Sequence, residues 1–102
     1  MATLFDALEY RTIQKAFDKY HAANPRVWAL FVRFALQALD AGCVKYSADA
    51  ILHRIRWHLS VETASVGDGF KINNNFSSRY ARKLMTEDPR FAQFFETRKL
   101  QD

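Results

Sequence analysis

The sequence predicts a single, mostly α-helical domain over residues 1–102, built from four to five helices. Its length is typical of one domain, and its composition of 49% hydrophobic and 25% charged residues is close to the globular average. Three glycines and two prolines are too few for a turn-rich all-β fold. Four stretches of the chain repeat apolar residues with the period of an amphipathic helix.

The first two helices are expected over residues 1–22 and 25–41. The amphipathic stripe of the first helix consists of Phe5, Leu8, Ile13, Ala16, Phe17 and Tyr20. Asn24-Pro25 is typical of a helix start, because the Asn side chain can accept a free backbone N–H and Pro has none to leave unpaired. The second helix is expected to stop at Gly42. It is apolar on most sides, which predicts a position at the centre of the fold.

A short β-prone segment, residues 44–46, precedes the third helix. Ser47 is the expected N-cap, and the helix is predicted from Ala48 to about Thr63. Its buried stripe is Ile51, Leu52, Ile55 and Leu59. Trp57 lies toward the other faces of this helix, yet tryptophan is usually well buried, so a core position is expected for it.

The fourth helix is predicted over residues 76–87, after a glycine-containing loop at 65–69. Phe76, Tyr80 and Leu84 form its expected buried face, and Ser78, Arg79, Arg82 and Lys83 are expected to point away from the core. Asp88-Pro89 repeats the cap-plus-proline pattern of Asn24-Pro25. A short final helix or a terminal strand over residues 94–100 should follow, with a loose tail at 98–102.

The cysteine content and the hydropathy of the sequence indicate the cellular compartment of the protein. A single cysteine, Cys43, excludes an intramolecular disulfide and fits a reducing cytoplasm, and its apolar neighbours predict a buried position. The sequence shows neither a secretory leader nor an apolar run of the roughly 18 residues that a membrane span needs. We therefore expect a cytoplasmic protein without membrane contact.

Enzymatic and metal-binding motifs are not found. His53 and His58 are five residues apart, whereas zinc on a helix needs spacings of three or four. The sequence carries no glycine-rich phosphate loop, no H-E-x-x-H motif and no nucleophile elbow. We therefore expect no enzyme activity, no catalytic residues, no metal site and no cofactor.

The net charge of +4 is concentrated around the fourth helix, where residues 71–83 hold four basic and no acidic residues. This excess favours a nucleic-acid partner, DNA in the first place. Short polar side chains expected to approach a DNA groove are Asn73, Asn74, Asn75, Ser77 and Ser78. Cations expected to neutralise phosphates are Lys71, Arg79, Arg82 and Lys83, helped by Lys45 and Arg54.

The order of elements resembles a winged helix-turn-helix, with residues 45–46 and 94–100 as candidates for the wing. The connection between the third and fourth helices departs from that pattern, because it spans about ten residues where three or four are usual. The positions of the acidic residues in the fold are expected to discriminate between a nucleic-acid partner and a protein partner. Glu62, Glu87 or Asp88 folding against the cations would neutralise the basic patch and favour a different partner.

A protein partner is the alternative, since aromatic and Arg side chains dominate protein interfaces. The aromatic residues considered for such a face are Trp28, Trp57, Phe91, Phe94 and Phe95, with Arg90 and Arg98 beside the three phenylalanines. Core positions are expected for most of them. The exposed ones would then mark contact with a host protein, a phage protein or a second copy of the chain.

Several strings of the sequence resemble a family of small uncharacterised proteins of bacteriophages and prophages. They are residues 20–25 (YHAANP), Arg56-Trp57, residues 70–75 (FKINNN), residues 78–82 (SRYAR) and residues 94–98 (FFETR). The resemblance covers about residues 17–100 and carries no assigned activity. It implies a bacterial cytoplasm and a phage accessory role, in which small proteins bind DNA or modulate a host protein.

Overall fold

A computed structural model describes residues 4–63 and 72–96 of the chain, and it confirms a mostly helical protein. Helix α1 spans Leu4–Ala23, α2 spans Pro25–Asp40, α3 spans Ala48–Trp57 and α4 spans Ser77–Glu87. A π-helical turn, His58–Glu62, extends α3. Short 3₁₀ turns at Asn74–Phe76 and Pro89–Phe91 precede and follow α4. All four predicted helices are therefore present, close to their expected boundaries.

Helix α2 lies at the centre of the fold, as its apolar sequence predicts. Its residues Val27, Phe31 and Phe34 are buried, and the helix contacts α1, α3 and α4. The cap expected of Asn24 is not made, because the Asn24 side chain donates to the carbonyl of Tyr20 at 2.9 Å and so closes the end of α1 instead. Gly42 ends α2 with a φ of +95°, a conformation that favours glycine.

Helix α3 begins at the predicted cap, where the Ser47 hydroxyl accepts from the backbone N–H of Ala50 at 3.2 Å. The expected stripe of Ile51, Leu52, Ile55 and Leu59 is buried. The core position expected of Trp57 is wrong, because the side chain is 57% exposed. Ile55 faces the core, and a residue two positions later is rotated by about 200° around a helix and therefore faces away from it.

Helix α4 is enclosed by the rest of the fold. Tyr80 is fully buried, with its ring centroid 4.8 Å from that of Phe17 and 5.4 Å from that of Phe31. Only Thr86 and Glu87, at its C-terminal end, are exposed among the residues of α4. Arg79 was expected to point away from the core but is buried, because α1 packs over the side of α4 that carries it. This enclosure does not resemble a recognition helix that inserts into a DNA groove.

The segment after α4 returns to the core. The Asp88 side chain caps the Pro89–Phe91 turn, as the Asp-Pro pattern predicts, and Phe91, Phe94 and Phe95 are buried. Tyr46 and Phe95 form a single parallel β-bridge, in which the N–H of Tyr46 donates to the carbonyl of Phe94 at 3.0 Å. This bridge is the short β element of the described residues, which contain no strand and therefore no wing. Cys43 is half-buried rather than buried.

Some sequence predictions lie outside the described residues. They are the loop at 65–69, the side chain of Lys71, the part of the terminal segment beyond residue 96, and the tail at 98–102. Within residues 4–63 and 72–96, no helix combines the length and apolar character that a membrane crossing requires.

Candidate functional site: an α1–α4 groove and the outer face of α3

An open groove of about 370 Å³ lies between α1 and α4, and three of the predicted phosphate-binding cations line it. Those three are Arg79, Arg82 and Lys83, on consecutive turns of α4. The opposite wall is formed by α1. The remaining lining residues are Gln14, Phe17, Asp18, His21, Thr86 and Glu87. The structure therefore brings half of the predicted cations into one groove.

A polar network fixes Arg79 in the wall of this groove. Its Nε donates to the side-chain oxygen of Gln14 at 3.0 Å, and its Nη1 donates to the carbonyl of Asn75 at 3.2 Å. The Gln14 amide in turn donates to Asp18 at 3.0 Å. At 7% exposure, Arg79 is the buried charged residue of α4 and connects that helix to α1.

Lys83 and His21 lie at the aromatic side of the groove. The Lys83 ammonium is 5.2 Å from the ring centroid of Trp28 and also pairs with Glu87, one turn later on α4. His21 stacks on Phe17 with a ring separation of 5.7 Å. The Nδ1 atom of His21 is buried and has no hydrogen-bond partner in the part of the chain that the structure describes. The groove therefore combines cations with an unsatisfied ring nitrogen.

Two of the five Asn and Ser residues predicted to contact DNA at the start of α4 have side chains engaged in local structure. The Asn73 side chain caps the 3₁₀ turn by accepting from the N–H of Asn75 at 2.9 Å. The Ser77 hydroxyl donates to the carbonyl of Asn74 at 3.0 Å, and Ser78 is half-buried. The side chains of Asn74 and Asn75 are exposed. The hydrogen bonds of Asn73 and Ser77 are those typical of a capped helix N-terminus.

Lys45 and Arg54 do not line the groove. Lys45 is exposed in the connection between α2 and α3. Arg54 lies on α3, where its guanidinium stacks 4.4 Å from the ring centroid of Phe34 and donates to Glu62 at 2.5 Å. Two predicted cations are thus paired with acids, Arg54 with Glu62 and Lys83 with Glu87. Both acids are among those whose positions were expected to discriminate between a nucleic-acid partner and a protein partner.

The outer face of α3 presents a second candidate surface, formed by His53, Trp57 and Val61. These residues are four apart and share one side of the helix, opposite the buried Ile55 and Leu59. Trp57 is 57% exposed and Val61 is 54% exposed. Two large apolar side chains one turn apart contribute little to the core, so the fold does not account for them.

Arginine side chains border this apolar pair. Arg54 lies on one flank, and Arg33 of α2 approaches the same Phe34 ring at 5.5 Å. Arg56, one residue before Trp57, lies on the other flank. Glu62 accepts hydrogen bonds from Arg54 and from the His58 ring at 3.0 Å, and these two contacts hold the pKa of its carboxyl below the ordinary value. The bordering charge is therefore mixed, with arginine in excess.

The core positions expected for most of the aromatic residues are confirmed at Phe91, Phe94 and Phe95, so these three form no exposed aromatic face within the described residues. Phe91, Phe94 and Phe95 are buried, and Arg90 is engaged with Asp88 through bonds of 2.7 to 3.3 Å. Trp28 is half-buried over α4. The signal that could have located the exposed surface is helical phase, since Trp57 falls opposite the stripe that the sequence itself defines.

No protein-family model, curated protein or solved structure matches this chain.

The two surfaces can do different chemistry. The groove offers hydrogen-bond donors and positive charge to a small anionic group. The face of α3 offers apolar contact with guanidinium groups at its edges, the combination that is enriched at protein interfaces. Within the described residues, no cluster of three or more His, Cys, Asp or Glu side chains could hold a metal ion.

Proposed function

We propose that this protein is a non-enzymatic binding module that docks a partner protein on the outer face of α3. The observation that carries the proposal is the exposure of Trp57 beside Val61, opposite the core. Desolvating these two side chains supplies apolar contact, and tryptophan and arginine are the residue types most often found at interaction hot spots.

The partner segment we propose is apolar and acidic. An apolar side chain of the partner would cover Trp57 and Val61, and its carboxylates would pair with Arg54 and Arg56 on the two flanks. The exposed apolar surface of Trp57 and Val61 favours a protein over a nucleic acid, because a phosphate backbone has no apolar side chain with which to cover it. The resemblance to phage proteins suggests a partner from the bacterial cytoplasm, either a host protein or another phage protein.

Site-specific photo-crosslinking tests this function in bacterial cells. A photoreactive residue replaces Val61, and a matched control places it at Val44, which is 84% exposed and lies outside α3. We expect a discrete adduct at position 61 that resists nuclease, is digested by protease and disappears when Trp57→Ser is added. Equal adducts at positions 44 and 61, or an adduct indifferent to Trp57→Ser, would contradict the proposal.

A stability control separates binding from folding. Because Trp57 is more than half exposed, Trp57→Ser should lower the free energy of unfolding by less than about 1 kcal/mol. A nuclease-sensitive adduct at position 61 would identify nucleic acid as the occupant of this face and would also contradict the protein proposal.

A further inference from the structure

We propose that the groove between α1 and α4 binds a phosphate group, presented either by a nucleic-acid backbone or by a small phosphate ester. This site is separate from the outer face of α3 and does not depend on the docking function. Its contacts are Arg82 and Lys83, with the Thr86 hydroxyl and the His21 ring beside them. The buried Arg79 adds positive charge from the wall.

The charge of the lining supports an anion. Three cations, Arg79, Arg82 and Lys83, face two carboxylates, Asp18 and Glu87, which leaves one positive charge with His21 neutral. Asp18 accepts from the Gln14 amide at 3.0 Å, which engages one oxygen of that carboxylate. A phosphate in this groove would therefore meet more donors than acceptors.

The pairing of Lys83 with Glu87 does not block the site. It is an i, i+4 pair whose Glu87 side chain is 50% exposed, and such surface ion pairs contribute little to stability. A phosphate makes stronger, charge-assisted hydrogen bonds and can displace a carboxylate held that weakly. The His21 ring also lines the groove and packs on Phe17.

The volume of the groove suits the ligand. About 370 Å³ lies at the lower end of the range for small-molecule sites, enough for a phosphate with a sugar-sized group. The groove is also open to solvent along its length, so a phosphate that belongs to a polymer could enter it. A nucleic-acid backbone and a small phosphate ester both present a phosphate group to the groove, and the experiments below distinguish these two sources.

Trp28 provides the readout, because the Lys83 ammonium lies 5.2 Å from its ring. The chain has two tryptophans, so Trp57→Phe leaves Trp28 as the reporter for the groove. In this background, inorganic phosphate, pyrophosphate and ribose 5-phosphate are titrated against sodium chloride at matched ionic strength. We expect a saturable change in Trp28 fluorescence with the phosphates and none with chloride.

Matched variants locate the site. Lys83→Gln and Arg82→Gln should each weaken binding by about tenfold or more, whereas Arg90→Gln, on an exposed side chain outside the groove, should leave it unchanged. Far-UV circular dichroism and thermal midpoints confirm that each variant is folded. Absence of saturable binding, or binding that survives both Lys83→Gln and Arg82→Gln, would overturn the proposal.

A labelled duplex and a labelled single strand, each of about 30 nucleotides, separate the two sources. Oligonucleotide binding that falls steeply with salt and is lost in Lys83→Gln identifies the nucleic-acid backbone. Binding of the small esters without oligonucleotide binding identifies a small ligand. Either result supports a phosphate site, and neither depends on whether the face of α3 docks a protein.

Discussion

Arg79 and Gln14, 65 residues apart in the chain, join α4 to α1 through a hydrogen bond of 3.0 Å. The bond matters because the guanidinium is buried. A buried charge needs hydrogen-bond partners, and here Gln14 and the Asn75 carbonyl supply oxygen acceptors from two parts of the fold. This contact explains why Arg79, which the sequence pattern predicts to be a surface cation, is buried in the interior.

Arg79→Met should destabilise the protein by about 2 kcal/mol, because it leaves the Gln14 oxygen and the Asn75 carbonyl without this donor. Urea unfolding followed by circular dichroism measures the loss. Arg90→Met is the matched control, since the Arg90 side chain is 61% exposed and should change stability by less than about 0.5 kcal/mol. Equal small losses in both variants would contradict a structural role for Arg79.

Tyr80→Phe should be neutral or stabilising by up to about 1 kcal/mol, because the Tyr80 hydroxyl is buried and has no hydrogen-bond partner among residues 4–63 and 72–96. Burial also raises the pKa of Tyr80 above its ordinary 10.0. The unfolded chain therefore releases this proton first, so the wild type should lose stability above pH 10 while the variant loses less. Unfolding curves at pH 8 and above pH 10 test both parts. A substantial loss of stability in Tyr80→Phe at pH 8 would show that the hydroxyl is bonded.

Glu62→Gln should lower stability at neutral pH and have no effect in acid. Hydrogen bonds from Arg54 and His58 hold the pKa of Glu62 below 4.5, so the stabilisation it provides is complete above that pH. It is lost as pH falls through the lowered pKa. Thermal midpoints of wild type and variant should therefore converge on acidification. In an Arg54→Met background the difference should already be small at neutral pH, and a difference that persists there would contradict the assignment to Arg54.

Gly42→Ala should cost about 1 kcal/mol through the backbone alone. Gly42 has a φ of +95°, and an added Cβ would meet no atom within 4 Å, so no steric contact contributes. Gly42→Asn should cost less, because Asn adopts positive φ more readily than Ala. Chemical denaturation of the two variants gives the comparison, and an unchanged midpoint for Gly42→Ala would show that the connection rearranges.

The helices were predictable because their signals are local. Ser47 is an N-cap residue followed by a regular apolar stripe, and Asp88 is an N-cap residue followed by a proline. At both positions two neighbouring signals predict the same helix or turn start, and the structure has it there. Asn24 shows where a local signal is ambiguous. Its amide can bond forward to α2 or back to α1, and the carbonyl of Tyr20 is the partner it takes.

The burial of individual polar and aromatic residues depended on tertiary packing. Arg79 lies about 100° from Tyr80 on α4, at the edge of the buried face, and only the position of α1 decides that it is covered. Trp57 is exposed for a different reason, since its position opposite Ile55 on α3 outweighs the general preference of tryptophan for burial. Phase along a regular helix was the more informative evidence there.

The bridge between Tyr46 and Phe95 also bears on how the protein is made. Phe95 packs against Phe31 in a core that also contains Phe91 and Phe94, so this part of the surface of α2 is covered only after translation has passed residue 95. Until then the helices of a nascent chain expose apolar surface to solvent, and intermediates of this kind aggregate or recruit chaperones. Completion of this part of the core is therefore set by three phenylalanines rather than by the helices that precede them.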